Sequence, residues 1–154
     1  MRTFVALVSV LLLLLVLQDG FETIVLPRRV TRRFRFTRFF YRMTWMPWSS
    51  LARGMSSSKR RETFLGYFGP LSLILLLCVW AVGLIMGFAM LQWALESPLY
   101  SPDRSISFGS YAYMSGTTFF TLGFGDVTPA APLGRILADS EAGMGFGFLA
   151  LIIG

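Results

Sequence analysis

Three long apolar segments dominate the pattern of this chain, and they cover residues 1–26, 68–95 and 133–154. A helix needs about 20 apolar residues to cross the hydrocarbon core of a bilayer, so each segment is a candidate membrane helix. The pattern predicts an all-α membrane protein in which an extra N-terminal membrane helix precedes two further apolar helices.

The first apolar segment permits more than one interpretation. Its dense part, Phe4–Leu17, is short for a span and is similar in length to the core of a signal peptide. No small-x-small cleavage pattern follows, because the chain continues as Val16-Leu17-Gln18-Asp19-Gly20. We therefore predict a membrane helix over residues 1–26, with a helix lying at the membrane interface as the alternative.

A basic stretch, residues 27–67, separates the first two apolar segments. Eleven of the fourteen Lys and Arg residues fall between Arg28 and Arg61, and no acid interrupts them. Positive charge beside membrane helices marks the cytoplasmic side, and anionic lipid headgroups are its natural partner. This position disfavours nucleic acid as a partner. The candidate lipid-binding residues are Arg28, Arg29, Arg32, Arg33 and Arg35.

Aromatic residues alternate with arginines in the basic stretch, as in Arg33-Phe34-Arg35-Phe36. Aromatic rings prefer the membrane interface and arginine prefers anionic lipid. A helix lying on the inner leaflet and a basic connector without a specific partner fit this pattern equally well.

The composition removes several kinds of chemistry. Hydrophobic residues make up 55% of the chain, which favours a bilayer over water. There is no histidine, and the one cysteine, Cys78, lies inside an apolar run. Disulfide frameworks, Cys/His zinc sites and histidine-based catalysis are therefore excluded. We expect no enzyme activity, no cofactor and no resident metal.

A short stretch between the last two apolar segments is too polar to cross the membrane. Residues 110–120 predict a short helix, and Thr121-Leu122-Gly123-Phe124-Gly125-Asp126 follows at once. Non-helical backbone at membrane depth is tolerated only where it is buried in protein or lines a water-filled path. Stacked backbone carbonyls can bind a dehydrated cation, and Gly123 and Gly125 permit the backbone angles that this requires. The stretch therefore predicts a re-entrant pore loop.

Side chains around this loop have separate expected roles. Leu122 and Phe124 are expected to face away from the ions and to pack against the short helix. A ring of Asp126 carboxylates would attract cations at the outer mouth. Tyr113 and Thr117 are candidate hydrogen-bond donors to Asp126.

The sequence Thr117–Asp126 resembles the potassium-channel signature, T-x-G-[YF]-G-D. Residues 68–154 as a whole are similar to the two-helix pore module of that family. The resemblance implies an outer helix at 68–95, a pore helix at 110–120, a selectivity filter at 121–126 and an inner helix at 133–154. The length of this last segment also fits a truncated inner helix.

The resemblance also implies a function, which is passive and selective conduction of potassium. The implied ion ligands are the backbone oxygens of the filter, with the hydroxyl of Thr121 added: Thr121, Leu122, Gly123, Phe124 and Gly125. One pore loop cannot surround an axis, so a homotetramer is implied.

Two positions depart from the family pattern. Phe124 replaces the commoner tyrosine, and Thr117 stands where some members carry a glutamate that pairs with the aspartate at the Asp126 position. Both departures bear on filter stability and inactivation more than on the choice of ion.

The third apolar segment contains Gly143-Met144-Gly145-Phe146-Gly147. Close helix packing and a gating hinge both fit this pattern, and the resemblance favours Gly143 as the hinge. Asp139 and Glu141 leave three placements open. They line a cavity below the filter, they brace the back of the filter, or Asp139 pairs with Arg135.

The basic stretch predicts an orientation without using the motif. If residues 27–67 are cytoplasmic, the N-terminus lies outside and the filter faces the exterior of a plasma membrane or bacterial inner membrane. Two other functions stay open, which are a less selective cation channel and a non-conducting membrane anchor or regulatory subunit. The sequence does not predict the gating stimulus.

Overall fold

The computed structural model describes residues 1–24, 36–55, 57–102 and 105–153. The described chain is mostly helical, which confirms the predicted all-α membrane fold with an extra N-terminal helix. The candidate lipid-binding residues Arg28, Arg29, Arg32, Arg33 and Arg35 lie outside the described ranges. The elements follow the chain as α1 (Arg2–Ile24), α2 (Phe36–Arg53), α3 (Ser58–Gly66), α4 (Phe68–Ala94), β1 (Leu99–Tyr100), α5 (Phe108–Phe119), β2 (Thr128–Pro129) and α6 (Pro132–Ile153).

Two helical stretches of the described chain are long and apolar enough to cross a membrane, Arg2–Thr23 and Ser58–Ala94. The first is α1, and the second combines α3 with α4. Helix α6 has 22 residues, which span about 33 Å at the α-helical rise. Three charged residues in its first half, Arg135, Asp139 and Glu141, lower its hydropathy.

The described chain divides into two compact units. The first unit contains residues 1–17 and 81–154, and the second contains residues 18–80.

Within the first unit, α1 packs antiparallel against α4. A Cβ atom at Gly87 would lie 2.7 Å from a side-chain carbon of Leu13, and one at Gly83 would lie 3.0 Å from Val16. At the far end of the pair, Arg2 forms an ion pair with Glu96. Small residues allow membrane helices to approach closely. The two glycines of α4 therefore form the groove that receives α1.

Helix α4 ends in a left-handed cap. Glu96 has a φ of 51°, and its amide donates to the carbonyl of Trp93 at 3.1 Å. The amide of Ser97 donates to the carbonyl of Gln92, also at 3.1 Å. These two bonds form a Schellman motif, in which glycine is the commoner residue at the Glu96 position.

The chain leaving α4 is paired with the chain entering α6. Leu99 of β1 lies opposite Pro129 of β2, and Tyr100 lies opposite Thr128, in an antiparallel pair. The amide of Ala130 adds a hydrogen bond of 2.8 Å to the carbonyl of Pro98. The segments before and after the predicted pore loop are thus joined directly.

A buried carboxylate organises the second unit. Asp19, near the end of α1, accepts hydrogen bonds from Trp80 Nε1 at 3.0 Å and from the Thr37 hydroxyl at 2.7 Å. The backbone amide of Thr37 also donates to Asp19, at 3.3 Å. The bonds link α1 to α2 and α4 through polar groups in a chain that is otherwise largely apolar.

Helix α2 packs through aromatic rings on one side. The ring of Trp48 stacks on that of Phe64 with centroids 4.3 Å apart, and Trp45 meets Phe68 edge-on at 4.8 Å. Another side of α2 is exposed and apolar, formed by Phe36, Phe39, Met43, Met46 and Leu51. Helix α2 is therefore amphipathic.

Candidate functional site: the filter segment

Helix α5 is the predicted pore helix, and it carries the filter segment, Thr121–Asp126, at its C-terminal end. It begins at Phe108, two residues earlier than the sequence predicts, and ends at Phe119. The hydroxyl of Ser110 accepts a hydrogen bond of 3.3 Å from the amide of Ser107 at the helix start. One face of the helix is buried, formed by Tyr111, Met114, Ser115 and Phe119.

The outer part of α5 is fixed to the end of α4. The hydroxyl of Tyr111 donates to the carbonyl of Ser97 at 2.9 Å. The ring of Trp93 meets that of Phe108 edge-on, with centroids 5.9 Å apart. These contacts fix the orientation of α5, and therefore the place at which the filter segment begins.

The filter segment starts in a tight turn around the last carbonyls of α5. The carbonyl of Thr117 accepts hydrogen bonds from the amides of Leu122 at 2.8 Å and Gly123 at 3.4 Å. Beyond this turn the backbone changes handedness repeatedly, with φ angles of 55° at Thr121, 55° at Gly123 and 76° at Gly125.

The two glycines of the filter segment are required by backbone conformation rather than by space. Nothing in the described chain lies within 4 Å of a Cβ atom added at Gly123 or Gly125. A residue with a side chain resists a positive φ, at a cost of roughly 1–2 kcal/mol. Thr121 accepts this conformation without being glycine, and such strained positions are concentrated at functional sites.

Within the part of the chain that the structure describes, no hydrogen bond is accepted by the backbone oxygens of Thr121–Gly125. Unpaired backbone carbonyls are costly when they are removed from water. Consecutive free oxygens on one strand are a suitable ligand set for a hard cation.

The carboxylate of Asp126 is held at the outer end of the filter segment. Its Oδ2 accepts a hydrogen bond of 2.8 Å from the hydroxyl of Tyr113, and its Oδ1 accepts one of 3.0 Å from the amide of Val127. The bond to Asp126 raises the pKa of Tyr113, because deprotonation of the phenol would lose it. Thr117, the other candidate donor, instead bonds the carbonyl of Met114 at 2.9 Å.

The side chains of Leu122 and Phe124 are largely exposed in the single chain. Leu122 is 56% exposed and Phe124 is 65% exposed. Their packing against a pore helix therefore stays a prediction for the assembled channel.

Glu141 is not a cavity charge. It is fully buried in the chain, and one of its carboxyl oxygens contacts the hydroxyl of Ser115 on α5. Of the three placements that the sequence leaves open, the structure places Glu141 behind the pore helix, because α6 packs against α5 there.

Asp139 lies on a different face of α6 and is exposed. Among the described residues, Arg135 forms no ion pair with it, because Arg135 Nε instead donates to the carbonyl of Pro129 at 3.3 Å. The pairing alternative is therefore wrong, and cavity lining by Asp139 stays a prediction.

The glycines of α6 differ in their surroundings. A Cβ atom at Gly145 would collide with the backbone carbonyl of Phe119, the last residue of α5, whereas one at Gly143 would meet nothing within 4 Å. Gly145 is thus a close-packing position, and Gly143, the candidate hinge, is open.

Ser115 and Gly145 were missed as site residues. The four-residue spacing of Tyr111, Ser115 and Phe119 was the signal that marks their common face.

A family model described as an ion channel matches residues 73–154, more than half of the chain. The chain belongs to this ion channel family. The matched range holds most of α4 and all of α5, the filter segment and α6. The resemblance noted in the sequence is confirmed at the level of the two-transmembrane pore-loop family, and the protein is a membrane protein of ion transport.

Two relatives with curated descriptions match about half of the channel. Protein LctB of Geobacillus stearothermophilus is 32% identical over 84 residues, which is 48% of this chain and 62% of the relative. Protein LctB of Bacillus caldotenax matches to the same extent. The channel thus spans less than two thirds of the length of these relatives. No solved structure matches it.

Proposed function

We propose that this channel conducts potassium passively and selectively, with Thr121, Leu122, Gly123, Phe124 and Gly125 as the ion-binding residues of its filter. The observation that carries the proposal is the row of carbonyl oxygens over Thr121–Gly125 that accept no hydrogen bond from the described residues, on a backbone of alternating handedness. Such a strand presents oxygens to an ion that has lost its water, and it needs no catalytic group or cofactor.

The incomplete cover of the filter segment supports a homotetramer. One chain supplies one strand, and irregular backbone at membrane depth is stable only against protein or a water-filled path. The exposed side chains of Leu122 and Phe124 support neighbouring copies as the missing cover. Closed rotational symmetry of four identical chains places one strand on each side of a central axis.

Potassium is favoured over a non-selective cation pathway by the intact Gly123-Phe124-Gly125 element. The bond between Tyr113 and Asp126 further supports a filter of fixed shape. Asp126 at the outer mouth is proposed to attract cations, and the open position Gly143 is proposed as the hinge of the inner helix.

The proposed orientation places the filter mouth and the N-terminus outside. The antiparallel packing of α1 on α4 supports this proposal, because it places Arg2 beside Glu96, at the end of α4 from which the chain continues toward the pore loop. The basic stretch is then cytoplasmic and faces anionic lipid.

The test is the reversal potential of purified full-length channel in a planar bilayer, with potassium on one side and sodium on the other. We expect reversal near the potassium equilibrium potential, and loss of this selectivity or of current in Gly123→Ala. Gly69→Ala is the matched control, because a Cβ atom at Gly69 meets nothing within 4 Å and its φ is not positive.

Each other outcome identifies a different function. Reversal near zero with robust current would establish a less selective cation channel. Absence of current from correctly folded, oligomeric protein would favour a non-conducting anchor or regulatory subunit.

A further inference from the structure

Ser115 is the point at which three helices of the first unit meet through polar groups. Its side chain is fully buried on the inner face of α5. Its hydroxyl lies 2.7 Å from the carbonyl of Ile85 on α4 and contacts a carboxyl oxygen of Glu141 on α6. The hydroxyl oxygen of Ser115, on the pore helix, therefore contacts both the outer helix and the inner helix.

The number of hydrogen-bond donors restricts how Ser115, Ile85 and Glu141 can be bonded to one another. A serine hydroxyl has one proton to donate, and a backbone carbonyl can only accept. When Ser115 donates to Ile85, Glu141 must donate to Ser115, and the acid form of a carboxyl group can do so. The second carboxyl oxygen of Glu141 is buried without a hydrogen-bond partner in the described chain. A neutral donor fits this environment better than an ionised group.

A second contact lies one turn further along the same two helices. Gly145 follows Glu141 by four residues, as Phe119 follows Ser115 by four. The absence of a side chain at Gly145 lets α6 touch the backbone carbonyl of Phe119. Residues four apart share one face of a helix. The inner helix thus holds the pore helix at two successive turns, and the second turn ends where the filter segment begins.

We infer that Glu141 is a positioning residue for the filter, which fixes the pore helix to the inner helix through Ser115. Gly143, the open hinge position, lies between the two contacts on the inner helix. A tilt or rotation of the inner helix at Gly143 therefore moves Phe119 relative to Ser115 and disturbs the start of the filter. The state of the filter is thereby coupled to the state of the inner helix. This inference rests on the proposed function, since it assigns Glu141 a part in potassium conduction.

The test uses variants that separate hydrogen bonding from volume and charge. Glu141→Gln retains a donor of similar shape, Glu141→Leu removes the donor, and Ser115→Ala removes its partner. The double variant Glu141→Leu/Ser115→Ala completes a thermodynamic cycle. Ser140→Ala is the matched control for Ser115→Ala, because Ser140 lies on α6, is exposed, and its hydroxyl bonds only the carbonyl of Ile136 in its own helix.

The readouts are single-channel open duration and the permeability ratio of rubidium to potassium for the full-length channel. We expect Glu141→Gln and Ser140→Ala to behave like the unaltered channel. Glu141→Leu and Ser115→Ala should each shorten openings about tenfold, and the double variant should be no worse than either, because residues in one hydrogen-bonded pair are not additive. A merely structural role would lower the yield of channels and leave each remaining channel unchanged.

Two results would overturn the inference while the proposed function stands. One is unchanged open duration in Glu141→Leu, and the other is full additivity in the double variant. Absence of selective potassium current from the unaltered channel would instead reject the proposed function, and the inference with it.

Discussion

The hydroxyl of Tyr113 donates a hydrogen bond of 2.8 Å to Asp126, across the outer end of the filter segment. Tyr113 lies on the pore helix, and Asp126 follows the last filter glycine. The bond therefore joins the pore helix to the outer end of the segment that presents the carbonyl oxygens. Because Phe124 lacks the hydroxyl that a tyrosine would bring, this bond is a principal polar support of the filter in the single chain.

Loss of that bond should destabilise the conducting filter. We predict that Tyr113→Phe inactivates several-fold faster than the unaltered channel under sustained potassium current, with little change in reversal potential. Tyr100→Phe is the control, since Tyr100 is exposed and lies outside the loop. Equal inactivation rates for both variants, measured as current decay in bilayers, would contradict the supporting role of Tyr113.

Gly143 and Gly145 of the inner helix should respond differently to the same change. In Gly145→Ala the new methyl group meets the carbonyl of Phe119, and overpacking of this kind costs about 1–3 kcal/mol or more. We predict poor recovery of folded protein for Gly145→Ala, measured by size-exclusion chromatography and thermal unfolding. Gly143→Ala should fold normally and alter only opening. Normal folding of both variants would show that α6 does not approach α5 so closely.

The groove on α4 provides a test of whether α1 is an integral part of the channel. Gly87→Val should lower the free energy of unfolding by about 1–3 kcal/mol, because the added methyl groups occupy the space of Leu13. Gly69→Val is the control at an open position of the same helix. Leu13→Ala combined with Gly87→Val should restore part of the loss. Failure of Gly87→Val to change thermal unfolding would argue against this packing.

The buried carboxylate of the second unit should be sensitive to a neutral replacement. Asp19→Asn places an amide group, which has only one acceptor oxygen, where Trp80 Nε1 and two donors of Thr37 converge. An unsatisfied buried donor costs about 1–3 kcal/mol. We predict a lower thermal unfolding temperature for Asp19→Asn, while Glu62→Gln, an exposed acid of the same unit, should be neutral. Equal unfolding temperatures would show that the carboxylate is not needed.

The amphipathic helix α2 should contribute to lipid binding. Arg38 and Arg42 are exposed on α2, near its exposed apolar side. Each basic residue near an anionic surface contributes about 1 kcal/mol, so Arg38→Gln/Arg42→Gln should weaken binding of fluorescent phosphatidylglycerol to purified channel about thirtyfold. Arg2→Gln is the control, because it removes a positive charge that lies outside the basic stretch. Retained binding that does not respond to salt would exclude an electrostatic role for α2.

Hydropathy and one motif were enough to predict much of the fold. The long apolar runs predicted α1, α4 and α6, and the glycine spacing at Gly123 and Gly125 predicted the filter segment. Both features are local, since membrane length and backbone angle depend on neighbouring residues in the sequence. The extra N-terminal helix was predicted for the same reason.

Contacts between distant residues could not be predicted in this way. The sequence left three placements for Glu141, and the choice depends on Ser115, which is 26 residues away. The same applies to the joint role of Asp19, Thr37 and Trp80. The resemblance favoured Gly143 as the notable glycine of the inner helix, but the approach of the Phe119 carbonyl makes Gly145 the position where a side chain cannot fit.

The antiparallel pairing of Leu99–Tyr100 with Thr128–Pro129 closes the pore loop within a single chain. Closing a loop costs conformational entropy, which has to be offset before contacts inside the loop can form. Here the backbone pairing within each chain offsets this entropy cost. The association of subunits therefore does not have to offset it. Subunits can therefore meet with their pore loops already shaped, and the rate at which they assemble is governed by encounters of preformed parts rather than by folding at the axis.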